Sequence, residues 1–131
     1  MDLKDFNTTA TAEKGAACTL RHPVTDEKTD IILTLAGSDS RRYKTASHMI
    51  QNRSLSRGKF KITAEKLEAN ALEILAACVI GWKNVEDSDL FPKGTPECTA
   101  DTALAFLGKH AWAKEQVDTF IADRANFLPR A

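Results

Sequence analysis

The chain has 131 residues, 43% of them hydrophobic and 27% charged. A chain of this length suits one domain and buries roughly two-thirds of its unfolded surface, so a single core needs no staples. Lys+Arg and Asp+Glu both number 18, so no global field draws the chain to nucleic acid or to a membrane.

Met1 to Lys14 (MDLKDFNTTATAEK) is polar and weakly patterned. It reads as a loose N-terminal arm with Leu3 and Phe6 as candidate docking points. Residues 15–37 read as a β-hairpin. AACTLRH is the first strand, PVTDEKTD supplies turn chemistry, and IILTLAG is the second strand. Ile31, Leu33 and Leu35 share one face of that second strand, with Ile32 and Thr34 on the other. Such a strand is an aggregation hazard if its edge stays free, and pairing with another subunit would remove the hazard.

Ser38 to Ser54 opens with Ser-Asp-Ser, good capping chemistry, and spaces Tyr43, Ala46, Ser47 and Ile50 as a short amphipathic helix. SLSRGKFKIT, rich in Ser, Gly and cations, then reads as a mobile loop. From Arg41 to Lys61 there are seven cations (Arg41, Arg42, Lys44, Arg53, Arg57, Lys59, Lys61) and no acid, which leaves 11 cations and 18 acids for the remainder.

Thr63 to Gly81 is the expected central helix. Leu67, Ala71, Ile74, Leu75, Cys78 and Trp82 recur at threes and fours, Thr63 can cap the start, and Gly81 marks the expected end. Leu72, Ala76, Val79 and Ile80 widen the stripe until little polar surface is left, as in a helix at the middle of a core. Glu86 to Cys98 is a loop by composition, anchored by Leu90 and Phe91. Thr99 to Leu107 forms a short helix closed by Gly108. Trp112 to Phe127 forms another, lined by Trp112, Gln116, Val117, Phe120, Ile121 and Arg124 and stopped by Pro129.

The residues therefore predict one α+β domain, mainly helical: an N-terminal β-hairpin followed by about four helices packed on the central one. The expected core is Leu67, Ile74, Leu75, Cys78, Trp82, Trp112, Val117, Phe120 and Ile121, with Phe127 beside them. Large aromatics at helical spacing are core before they are a ligand box.

Chemistry is sparse. Cys18, Cys78 and Cys98 form no C-x-x-C pair, and His22, His48 and His110 stand apart, so metal-ligand spacing is missing. Cys98, His110 and Asp101 offer a triple for nucleophilic catalysis, but any chain with three Cys and three His offers such triples. Phosphate-cradling glycine motifs and the alternating acids of a calcium loop are not present in the sequence. No catalytic, cofactor-binding or metal residue is assigned. The basic Arg41–Lys61 segment is the candidate partner-binding site; its alternatives are a solvated face or nucleic-acid contact, with Tyr43 and Phe60 as the only aromatics among the cations. With no signal peptide and no long apolar run, the cytoplasm is the expected compartment.

One family resemblance extends this reading. It lies in Val79-Ile80-Gly81-Trp82-Lys83-Asn84-Val85, then Phe91-Pro92, then Thr99 to Leu107, then Ala111-Trp112 and Gln116-Val117-Asp118-Thr119-Phe120, then Asp123-Arg124-Ala125-Asn126-Phe127-Leu128. In this order the C-terminal half resembles the tail assembly chaperones of long-tailed, siphovirus-type bacteriophages and prophages. Their pattern is a central helix ending in Gly-Trp, a short acidic loop, a short helix, and a closing helix entered through a Trp. The resemblance implies a non-enzymatic factor without cofactors, made in the host cytoplasm and missing from the mature virion. Such a factor binds the tape measure protein, keeps it soluble, and helps bring the tail tube protein to it, with a homo-oligomer as a natural form. Helix-in-groove or strand-edge binding would be its mechanism. The competing classes are a head–tail connector or tail completion subunit, and a small nucleic-acid-binding protein.

Overall fold

The computed structural model describes residues 2–56 and 63–128. A short 3-10 helix over Leu3–Phe6 leads into α1 (Thr8–Lys14), then β1 (Ala16–Arg21) and β2 (Lys28–Leu35). Next come α2 (Arg41–Ser56), α3 (Ala64–Ala77) and β3 (Val79–Lys83). The chain closes with α4 (Ala100–Lys109), α5 (Ala111–Ala122) and a 3-10 helix over Arg124–Phe127. Helix takes 54% of the residues against 16% in strand, which makes the fold α+β with a helical majority.

The hairpin forms where its alternation places it. Leu33 and Leu35 are fully buried and Ile31 packs against the same core. β1 and β2 are antiparallel with Ala16 opposite Leu35 and Cys18 opposite Leu33, and the register shifts between Thr19 and Arg21.

The expected central helix over Thr63 to Gly81 is two elements. Its start is as expected: Thr63 accepts from the Lys66 N–H at 3.2 Å. Its end is not. The helix stops at Ala77, and Val79–Lys83 becomes the third strand, antiparallel to β2 with Trp82 opposite Leu33 and Gly81 opposite Thr34. Gly81 is therefore no helix stop and Trp82 is no helical residue. The cause is β2: with β1 on one side only, its other edge would carry unpaired N–H and C=O groups beside an apolar surface. The strand order β1-β2-β3 makes β2 central, so the edge hazard read from the sequence is removed within the chain and needs no second subunit for it. The Ala36 N–H donating to the Cys78 carbonyl starts the new pairing at the helix end.

The buried face of the sheet meets α3, α4 and α5. Leu20, Leu33 and Leu35 join Leu75, Cys78, Phe106, Leu107, Val117 and Ile121 in one core. Of the expected core, Leu75, Cys78, Val117 and Ile121 are buried, and Trp82, Trp112 and Phe120 are partly buried against them. Ile74 is half-buried. Leu67 is a correction: it is 57% exposed, in a stretch of α3 where every residue from 63 to 69 is exposed and the apolar stripe is not yet covered.

The N-terminal arm is not loose from Thr8 to Lys14. Ala12 is buried, and its carbonyl accepts from the Gly37 N–H at 3.1 Å. Glu13 accepts from the Arg41 N–H, so α1 supplies an acid to the positive end of α2, whose own first turn has none. Thr8 donates to Asp39, which also takes the Arg124 guanidinium through two bonds of 2.8 and 3.0 Å. Leu3 and Phe6, the expected docking points, are 78% and 51% exposed. Gly15, at φ 87°, turns the chain from α1 into β1, and a Cβ there would lie 2.8 Å from Ile80 Cδ1.

Two smaller boundaries differ as well. α2 runs through Ser54–Ser56, part of the expected loop, while the rest of that loop, residues 57–62, lies outside the described residues. The closing helix breaks at Asp123, whose carboxylate caps the 3-10 turn through the Ala125 N–H.

Candidate functional site

The four described candidate cations occupy two ends of one helix. Arg41, Arg42 and Lys44 lie in the first turns of α2 and Arg53 near its last, about 18 Å apart at 1.5 Å per residue. Arg57, Lys59 and Lys61, with Phe60 beside them, lie outside the described residues. Arg42 donates to the Ala77 carbonyl at 3.3 Å, and Arg53 pairs with Glu73 at 2.9 Å. Both contacts run from α2 to α3. These two cations are turned toward α3, so the structure does not gather the described members of the set into one outward patch.

What that packing leaves is a groove. The α2 residues Ala46, Met49, Ile50 and Asn52 form one wall, and Glu73 and Ala77 of α3 form the other, around about 560 Å³. The walls are mostly apolar at the centre, and the Arg53–Glu73 pair sits on the rim. Met49 is 64% exposed there, an unbranched and polarisable side chain suited to irregular apolar contacts.

The titratable groups form anchors elsewhere. Asp87, in the loop after β3, accepts from Lys109 Nζ at 2.8 Å, from His110 Nε2 at 2.9 Å, and from the N–H groups of Asp89 and Leu90. The Lys109 and His110 bonds hold its carboxyl well below the usual carboxylate range. The His110 ring meets Phe106 and Trp112 edge-on. Cys98, half-buried, turns its sulfur to the Val79 carbonyl at 3.8 Å. The triple Cys98, His110 and Asp101 is thus not assembled: His110 takes Asp87 and Cys98 takes a backbone oxygen. Burial raises all three thiols, Cys18 to about 11 and Cys78 to about 12, which favours the protonated form at neutral pH.

As a sequence, Glu86, Asp87 and Asp89 form a solvated acid run; Asp87 departs from this, with its side chain only 11% exposed, because its two side-chain partners lie 22 and 23 residues away. The local signal was an Asx turn in Asp87-Ser88-Asp89, which accepts the amide two residues on. In the sequence Gln116 is one member of a helix face. A carboxamide beside Val117 on a packed face was the signal that it binds something, and its partner is the backbone of β1.

No helix among the described residues is long and apolar enough to cross a membrane, and no group of metal ligands forms among them. No family model, curated protein or solved structure matches the chain.

Proposed function

We propose that the protein is a tail assembly chaperone of a long-tailed phage or prophage. In this reading it binds the tape measure protein in the host cytoplasm, keeps that long helical chain soluble, and assists addition of the tail tube protein. It acts by binding alone. The residue order from Val79 to Leu128 supports the family. It does so as an order of residues, since the Gly81–Trp82 step lies in β3 here and not at a helix end.

The observation that carries the reading is the groove between α2 and α3. An amphipathic helix laid in it would set apolar side chains at i, i+3, i+4 and i+7 against Ala46, Met49, Ile50 and Ala77. The Arg53–Glu73 pair on the rim offers both charge signs to the polar face of such a client. Rim charges steer and select more than they bind, so affinity rests on the apolar floor.

The test is co-expression with the tape measure protein of the same phage. That protein alone should be mostly insoluble, and this chain should move it to the soluble fraction and co-elute with it by size exclusion. Met49→Glu, on an exposed position, should abolish the shift and leave the fold intact. An unchanged soluble fraction would end the chaperone reading. Finding the chain in purified virions would favour a structural subunit, and tight, salt-sensitive DNA retention would favour a nucleic-acid binder.

A further inference from the structure

β1 is an edge strand, and its outer edge is half occupied by a side chain. The Arg21 N–H donates to Gln116 Oε1 at 2.7 Å, and Gln116 Nε2 donates to the Arg21 carbonyl at 2.9 Å. A carboxamide that both gives and takes in this way reproduces one residue of a neighbouring strand. It also shows which way the edge faces. Leu20 directs its carbonyl toward β2, where the Thr29 hydroxyl binds it, and the His22 N–H bonds the Glu27 carbonyl across the hairpin. On the other side of the register shift the Ala36 N–H faces β3, so by alternation Leu35 and Leu33 face β1 and their partners Ala16 and Cys18, which leaves Ala17 and Thr19 pointing outward. Both are exposed, and among the described residues no further strand lies beyond β1.

Beside this edge runs a groove of about 450 Å³ between β1 and α5. Its floor holds Cys18 and Phe120, and its rim holds Asp26, Glu115 and Asp123 against the single cation Arg21, itself 3.9 Å from Asp26. The rim is therefore net acidic next to unpaired backbone groups. We propose that this edge binds an extended segment of a partner protein that carries lysine or arginine at alternate positions. The segment adds as a fourth strand along Ala17–Thr19 and ends against the Gln116 carboxamide. Main-chain bonds to residues 17 and 19 hold it, and Glu115 and Asp123 select its cations. A second copy of β1 is the poorer occupant, since two-fold pairing would bring the two acidic rims together. This surface is separate from the α2–α3 groove, and its test does not depend on the chaperone reading.

The probes are two fluorescent synthetic peptides, one alternating lysine with valine and one alternating glutamate with valine, titrated by anisotropy against the full chain. The lysine peptide should bind, weaken with added salt, and outcompete the glutamate peptide, which should not bind. Thr19→Pro removes only an outward N–H, a place where an edge strand tolerates proline, and should weaken binding about tenfold or more while circular dichroism stays native. Glu115→Gln with Asp123→Asn, which keeps the cap at residue 123, should weaken it by a similar factor and flatten the salt dependence. If Thr19→Pro does not fold, this charge pair decides alone. Three results would overturn the proposal: no lysine-peptide binding at millimolar concentration, binding that all these variants leave unchanged, or a dimer of the chain alone that Thr19→Pro dissociates.

Discussion

Trp82 joins three parts of the molecule, and removing it in two stages separates what each contact contributes. From β3 its indole N–H donates to the Pro96 carbonyl at 2.9 Å, which ties down the loop after the sheet. Its ring lies 5.9 Å from Phe106 of α4 and 6.4 Å from Phe91 of the loop, both tilted by 52°. Truncating a fully buried aromatic costs about 3–5 kcal/mol. Trp82 is only partly buried, which lowers its packing share to roughly 2–3 kcal/mol. The hydrogen bond adds about 0.5–1.5 kcal/mol, at the lower end because Pro96 is half-exposed and water can reach its carbonyl. Trp82→Ala should therefore cost about 3 kcal/mol, and Trp82→Phe, which keeps a ring between Phe91 and Phe106, about 1 kcal/mol. Urea unfolding followed by far-UV circular dichroism measures both, with the slope m unchanged if only the native state is affected. An unchanged midpoint for Trp82→Ala would refute the packing argument. Equal losses for the two variants would refute the division between ring and hydrogen bond.

Gly37→Ala should detach the N-terminal arm, because the new Cβ would stand 2.9 Å from Ala12 Cβ and 3.0 Å from the Phe127 ring. The expected cost is about 1–3 kcal/mol, with faster chymotryptic cleavage at Phe6, and an unchanged cleavage rate would show that the arm does not depend on this contact. Asp39 should contribute stability that acid removes. Its bonds from Arg124 and Thr8 lower its carboxyl from 3.8 to about 2, so the contribution is present above the unfolded value and is lost as pH falls through the folded one. The midpoint difference between wild type and Asp39→Asn should accordingly be full at neutral pH and mostly lost by about pH 2, and a difference undiminished there would mean that protonation is not the cause.

The elements that could be read from residues alone are those whose pattern is local. Thr63 at the start of α3 and the alternation of Leu33 and Leu35 in β2 depend on neighbours a few positions away, and the structure shows both as expected. So does the loop between Val85 and Thr99, where proline, glycine and acids leave no periodic apolar face. Val79–Lys83 is the stretch where local pattern does not decide. Its apolar residues continue the stripe of α3, yet Val79 and Ile80 are β-branched, so the run suits a helix or a strand. The free edge of β2, with Ile32 opposite Lys83 across fifty-one positions of chain, decided for strand. The same kind of distance hid the candidate surfaces. Gln116 meets Arg21 across 95 residues, and Arg53 meets Glu73 across 20, so a cation or carboxamide in the sequence carries no mark of whether the fold will use it inside or leave it to a partner. Leu67 shows the converse. Periodicity puts it on the apolar stripe, and only the packing, which leaves residues 63–69 exposed, determines that it faces solvent.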